Sequence, residues 1–237
     1  MVFFQLDTTR IIQVYVLQGI IAAFFLYLAY KILKRDTKRL NLMFSLGFIS
    51  SAVGLLINFI YAPLTDETVV IVLYYITILV IYLFGAFFVV FVLMLLKSEK
   101  VITPKKQAIY ILIYFVAELC SVFIPDGVTI NASTDWKPVW SVALFIYFVS
   151  VIVILGMLPS LYYSVQIYKR FEDELIKKKW KLFIYGIIGI YAFAVGTIFS
   201  NTLNVQIFRT IWSVISLVLV ILSPLLLYYG VGRQIEK

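Results

Sequence analysis

The sequence predicts an all-α fold, an integral membrane bundle of seven transmembrane helices. Three observations lead there. The 237 residues are 63% hydrophobic and only 14% charged, against roughly 45–50% apolar residues in soluble domains. Mean hydropathy is +1.04. The chain also divides into seven stretches of about 18 residues or more that carry almost no charge, each long enough to cross a hydrocarbon core about 30 Å thick.

Span 1 covers 11–30 and is followed directly by Lys31, Lys34 and Arg35. Span 2 covers 42–62 and places Gly47, Ser51, Gly54 and Asn58 on one helix face, since they recur at helical spacing. Small residues on a face let helix backbones approach closely in lipid, where packing drives association. Span 3 covers 68–96 and is apolar throughout. Span 4, 107–124, follows Thr103 and Pro104, a pair suited to a helix start. Span 5, 139–168, contains Pro159. Span 6, 182–201, has Gly186, Gly189, Phe193, Gly196 and Ser200 on one face. Span 7, 205–232, aligns Arg209, Ser213, Ser216, Val220 and Ser223, a polar stripe that should face protein instead of lipid. Pro224 then removes a backbone donor, which predicts a kink.

These spans leave no room for a separate soluble unit, so 1–237 reads as a single seven-helix transmembrane domain. Superposing span 2 on span 6 aligns Gly47 with Gly189, Gly54 with Gly196 and Asn58 with Ser200, the pattern of a repeat relating spans 1–3 to spans 5–7.

Charge gives the orientation. Lys31, Lys34, Arg35, Lys38 and Arg39 follow span 1; Lys97, Lys100, Lys105 and Lys106 follow span 3. Lys169, Arg170, Lys177, Lys178, Lys179 and Lys181 follow span 5, and Arg233 and Lys237 follow span 7. Opposite them stand only Arg10, Lys137 and Arg209. Basic loops stay in the cytoplasm, so the N-terminus is expected outside, the C-terminus inside, and the chain in the cell membrane. The net charge of +8 follows from this sorting by side and from no nucleic-acid-reading motif. Anionic membrane lipids are the expected partners of the basic loops. Asp7 and Arg10 interrupt the N-terminal residues, so span 1 reads as its own insertion signal and not as a cleavable leader.

Several chemistries are excluded by residue type. With no histidine and one cysteine, Cys120, the chain builds no His-based zinc or haem site, no Ser-His-Asp triad and no thiolate cluster. No phosphate-binding Gly-rich loop occurs. No cofactor and no enzymatic activity are expected. No lysine lies within a predicted span, which removes Schiff-base chemistry with a membrane-embedded chromophore. Trp136, Trp140 and Trp212 near one boundary and Trp180 near the other read as interfacial anchors. The connection 125–138 is rich in turn formers and contains Asn131-Ala132-Ser133, a glycosylation acceptor pattern. In the segment 169–181, Asp173 precedes Lys177 by four residues, as Glu174 precedes Lys178; both are favourable helical ion pairs, and the segment is expected to prolong span 5 or span 6.

The residue that asks for an explanation is Glu118, the one acid inside a span. By the helical rise it lies roughly 10 Å from the end of span 4, on a face shared with Tyr110, Tyr114 and Ser121. A charge at the bilayer centre costs about 2.5–3.5 kcal/mol on insertion scales, so an intramembrane acid needs partners or neutralisation. At comparable depth stand Gln18, Asn58, Tyr75, Thr77 and Ser213, with Arg209 nearer the rim. Two readings follow. In one, these residues line an outward-facing pocket where Glu118 meets a small-molecule or lipid ligand and Arg209 counters it. In the other, Glu118 joins Arg209, Gln18 or a tyrosine to hold helices together.

The first reading makes the chain a receptor-like sensory module, with its basic loops passing the signal to a cytoplasmic or membrane protein partner. A small-solute transporter with a three-plus-one-plus-three arrangement is the second expectation, and a non-catalytic subunit of a larger membrane complex the third. The inner halves of the spans look dry apart from Ser45 and Ser223, which counts against a transport path.

Overall fold

A computed structural model describes residues 8–232; Asp7, Arg233 and Lys237, which entered the sequence argument above, lie outside the described residues. Among the described residues, seven helices are long and apolar enough to cross a membrane: Ile12–Leu33, Arg39–Tyr61, Glu67–Lys97, Pro104–Phe123, Val142–Arg170, Glu174–Leu203 and Gln206–Val231. They are spans 1 to 7 below. The predicted spans all form, with the largest shift at span 6, whose helix runs through the basic segment and starts at Glu174. Asp173 is the reason. Its carboxylate caps the helix, accepting from the backbone N–H groups of Leu175 (2.7 Å) and Ile176 (3.1 Å). That use replaces the expected pair with Lys177, which instead meets Glu174 at 2.8 Å.

The alternation of helices gathers the turns at two ends, and side-chain contacts tie each end together. At the basic end, Arg39 pairs with Glu99 at 3.4 Å, Arg170 donates to the Leu96 carbonyl at 3.3 Å, and Arg35 donates to the Tyr228 hydroxyl at 2.5 Å. At the other end, the connection between spans 4 and 5 folds into a short antiparallel hairpin, Val128–Thr129 against Val139–Trp140. Arg10 donates to the carbonyl of Asp135 there (3.2 Å), and Arg209 to that of Pro138 (2.8 Å). This is the hairpin end. Within the hairpin, Asn131 accepts from the Ser133 N–H and hydroxyl, which makes the acceptor triplet a capped turn.

Span 3 is the axis of the bundle. Of its most apolar stretch, 72% is buried, against 22% in spans 4, 5 and 7, whose outward sides are mostly apolar and face the space that lipid would fill. Around span 3, an aromatic core in the basic half joins spans 2, 3 and 6: Phe44 stacks on Phe91 at 4.6 Å between centroids, Phe48 meets Phe88 edge-on at 5.9 Å, and Phe91 meets Phe183 at 5.8 Å.

The glycine faces act as the sequence predicts. A Cβ at Gly47 would sit 2.7 Å from the Phe88 ring, and one at Gly54 would lie 2.9 Å from the Thr77 carbonyl oxygen, so span 2 closes on span 3. A Cβ at Gly186 would lie 2.8 Å from both the Leu227 nitrogen and the Ser223 carbonyl oxygen, while Gly189 and Gly196 make room for the Ser223 side chain and the Trp212 ring. Span 6 thereby closes on span 7 backbone to backbone.

Two expectations about polar and aromatic residues are corrected. Trp140 and Trp180 are not interfacial anchors: they are 3% and 5% exposed, and their indole N–H groups donate to the Tyr74 hydroxyl (2.5 Å) and the Ser164 carbonyl (2.7 Å). An indole with a buried acceptor in reach gains more from the core than from a headgroup boundary. The span 7 stripe also divides. Val220 and Ser223 are buried, whereas Ser213 is exposed and bonds the Thr210 carbonyl at 2.7 Å, and Ser216 bonds the Ser213 carbonyl at 3.0 Å. A serine that satisfies its hydroxyl on its own helix has no need of a neighbouring one.

Candidate functional site

Glu118 sits in the last α turn of span 4, immediately before the helix tightens to 3-10 geometry over Cys120–Phe123. Its side chain is 0% exposed, while Val116 and Leu119 on either side of it turn outward. The face through Tyr114 and Ser121 is likewise buried. Neither carboxylate oxygen has a hydrogen-bond partner among the described residues, and the same holds for the hydroxyls of Tyr114 and Ser121. Tyr82 of span 3, Tyr114 of span 4 and Tyr191 of span 6 all lie within electrostatic reach of the acid.

Two glycines make this possible. The hydroxyls of Tyr114 and Tyr191 come together between Gly85 of span 3 and Gly156 of span 5: a Cβ at Gly156 would stand 2.8 Å from the Tyr191 oxygen and 3.3 Å from that of Tyr114. At Gly85 it would stand 3.2 Å from the Tyr191 oxygen and closer still to Tyr114. Any side chain at either position would displace the phenols. Phe84 and Phe148 complete the wall, 5.4 Å from Tyr191 and 5.2 Å from Tyr82 respectively.

Three spans leave α geometry at this level. Span 3 is interrupted at Leu83, between helical segments Glu67–Tyr82 and Phe84–Lys97. Span 4 tightens after Leu119. Span 5 widens to a π-helix over Ile152–Met157, ahead of Pro159. Pro159 has no N–H to give the Leu155 carbonyl four residues earlier, and the Tyr110 hydroxyl of span 4 donates to that carbonyl instead. Tyr147 returns the contact, donating to the Ala117 carbonyl at 2.8 Å. The Tyr110 side chain thus serves a carbonyl that Pro159 cannot, the condition for tolerating such irregularity in a membrane. π-turns occur often at functional sites.

The predicted site residues do not gather in one place. Glu118 and Tyr114 form the site just described. Gln18 and Asn58 bond each other instead, Asn58 Nδ2 donating to Gln18 Oε1 at 2.6 Å between spans 1 and 2. Thr77 is buried against span 2, where its carbonyl faces Gly54. Tyr75 is half-buried with its hydroxyl beside Gly127 of the hairpin connection, and its neighbour Tyr74 takes the core position. Ser213 faces outward. Arg209 is half-buried, committed to the Pro138 carbonyl, and forms no ion pair with Glu118. The expected countercharge is corrected for that reason: the hairpin carbonyl, and not the acid, holds the guanidinium. The expected open pocket also differs from what is seen, because the helices close completely over Glu118.

Tyr82, Tyr191, Ser160, Gly85 and Gly156 belong to the site without having been singled out. Their signal was present in a weak form, as isolated glycines and tyrosines within apolar runs. The basic half is less dry than expected. Ser160 is fully buried with its hydroxyl 3.4 Å from that of Tyr191, and Ser164, one turn further toward the basic end, is buried as well.

No family model, no curated protein and no solved structure matches the chain. Fold and site together define a multi-pass helical membrane protein that encloses a buried acid with no hydrogen-bond partner among the described residues.

Proposed function

We propose that this protein is a non-enzymatic, receptor-like sensory module of the cell membrane, with its basic end in the cytoplasm, and that its ligand is a small organic cation received by Glu118 and the surrounding tyrosines. One observation carries the reading: an acid with no exposed surface and no hydrogen-bond partner among the described residues, with the phenols of Tyr82, Tyr114 and Tyr191 from three spans within its electrostatic reach. Carboxylate plus aromatic faces is the chemistry that recognises an ammonium group, and a desolvated cation–π contact contributes about 2 kcal/mol. The non-α segments of spans 3, 4 and 5 are where the closed bundle would part to admit it. Span 5 then connects the site to Arg170 and the Leu96 carbonyl at the basic end, where a cytoplasmic partner would sense the change.

Thermal unfolding of the full chain in mild detergent tests this with tetramethylammonium and choline, and with 3,3-dimethylbutan-1-ol as the uncharged counterpart of choline. At tenfold the Kd, ligand binding stabilises by about 1.4 kcal/mol, which raises Tm by about 3–5 °C for a chain of this length. The ammonium compounds should give that rise, the alcohol none, and Glu118→Gln should remove it. An equal rise with the alcohol, or a rise that survives Glu118→Gln, sinks the reading.

The buried Ser160 and Ser164 favour a second reading, a transporter whose polar line continues from the tyrosines toward the basic end. Uptake of labelled choline into liposomes, abolished by Glu118→Gln, would select it over the sensor.

A further inference from the structure

Spans 1 and 7 close the ring of helices at the basic end with a groove of about 380 Å³ between them, lined by Phe24, Tyr27, Leu28, Lys31, Leu225, Tyr228 and Tyr229. We propose that this groove holds one anionic phospholipid.

The groove has two chemically different ends. Phe24, Leu28 and Leu225 form an apolar floor on the membrane-interior side. Lys31 stands seven residues after Phe24, about 10 Å further along the helix, two residues before span 1 ends. Its ammonium lies 5.4 Å from the centre of the Tyr27 ring and remains exposed. Arg35 follows one turn later, 5.0 Å over the Tyr228 ring. Tyr228 and Tyr229 meet edge-on at 5.4 Å and lie in the π-helical segment Tyr228–Gly232, which widens the end of span 7 where the groove opens.

Among the described residues, none that lines the groove is acidic. The order along the groove, apolar floor, tyrosine band, then cations, is that of a phospholipid from acyl chain to phosphate. A soluble anion would use the cations and leave the floor uncovered. A zwitterionic lipid would use the floor and gain little from Lys31. A negatively charged phospholipid uses both.

The test is native mass spectrometry of the full chain in mild detergent with equal amounts of phosphatidylglycerol and phosphatidylcholine bearing the same acyl chains. Lys31 gives phosphatidylglycerol a preference of about fivefold, the factor equivalent to about 1 kcal/mol per basic side chain at a charged surface. Lys31→Gln should bring the two lipids to near parity, Lys31→Arg should keep the preference, and Lys137→Gln at the hairpin end should leave it unchanged. Equal binding of both lipids by the unmodified chain, or an undiminished preference in Lys31→Gln, overturns the proposal. Displacement of the bound lipid by millimolar glycerol phosphate would also overturn it, by showing a headgroup site without an acyl groove.

Discussion

Glu118→Lys should prevent the bundle from assembling, while Glu118→Gln should leave it folded. The site offers no anion to a lysine: no other acid lies inside a predicted span, the groups within electrostatic reach of position 118 are the phenols of Tyr82, Tyr114 and Tyr191, and the acid that would have met a cation is the residue being replaced. A lysine at the centre of a span costs on the order of 2.5–3.5 kcal/mol, and its longer stem adds about 1–3 kcal/mol in a packed interior. Together these approach the whole stability of many domains, about 5–15 kcal/mol. Glutamine keeps the shape and carries no charge. Size-exclusion profiles of fluorescently tagged protein in detergent should show a monodisperse peak for the parent and Glu118→Gln, and aggregate for Glu118→Lys. A monodisperse, stable Glu118→Lys chain would place the side chain at a wet or lipid-facing position instead.

Gly186→Val should lower Tm by about 2–12 °C. The new Cβ would fall 2.8 Å from the Leu227 nitrogen and 2.8 Å from the Ser223 carbonyl oxygen, both backbone atoms that no rotamer change can move. Spans 6 and 7 would have to separate, at a cost of about 1–3 kcal/mol for overpacking, and each kcal/mol corresponds to about 2–4 °C in a chain of this size. Gly19→Ala is the control. The atom nearest to a Cβ there is Phe59 Cζ at 3.4 Å, an ordinary contact, and alanine in a helix gains roughly 0.5–1 kcal/mol over glycine. Scanning calorimetry or nanoscale fluorimetry of the three chains should rank Gly19→Ala at or above the parent and Gly186→Val well below it. Similar Tm values for both variants would mean that the span 6 face does not pack as described.

The spans were legible because the requirement that produces them is simple: every backbone polar group must be satisfied within lipid, so length and apolarity alone declare a helix. The glycine faces were legible for the same kind of reason, since only close packing rewards a row of small residues in a membrane. The site was legible only in part. Glu118 and Tyr114 stood out because an acid inside a span demands an account. Their partners on spans 3, 5 and 6 did not, because which tyrosine reaches the acid depends on how helices rotate and on where they leave α geometry. The break at Leu83 has no proline to announce it, and the π-turn of span 5 precedes Pro159 instead of coinciding with it.

Depth proved a poor guide to association. Gln18, Asn58, Thr77 and Ser213 lie at levels comparable to Glu118 in sequence terms, yet the first two satisfy each other, Thr77 faces span 2, and Ser213 bonds its own helix. Arg209 was paired with the acid on charge alone. A carbonyl of the hairpin, seventy-one residues away in sequence, holds it instead. Local hydrogen bonds take precedence over distant charge complementarity when the polar group can be satisfied nearby.

The most direct measurement is the reaction of Glu118 with a bilayer-soluble carbodiimide, followed by peptide mass spectrometry of the protein in lipid bilayers. An acid enclosed by spans 3 to 6 should stay unmodified during a short exposure without ligand, while a lipid-facing acid introduced on the same helix by Ile113→Glu should react. Rapid and complete modification of Glu118 in the resting protein, at the rate of the introduced acid, would contradict the enclosed site.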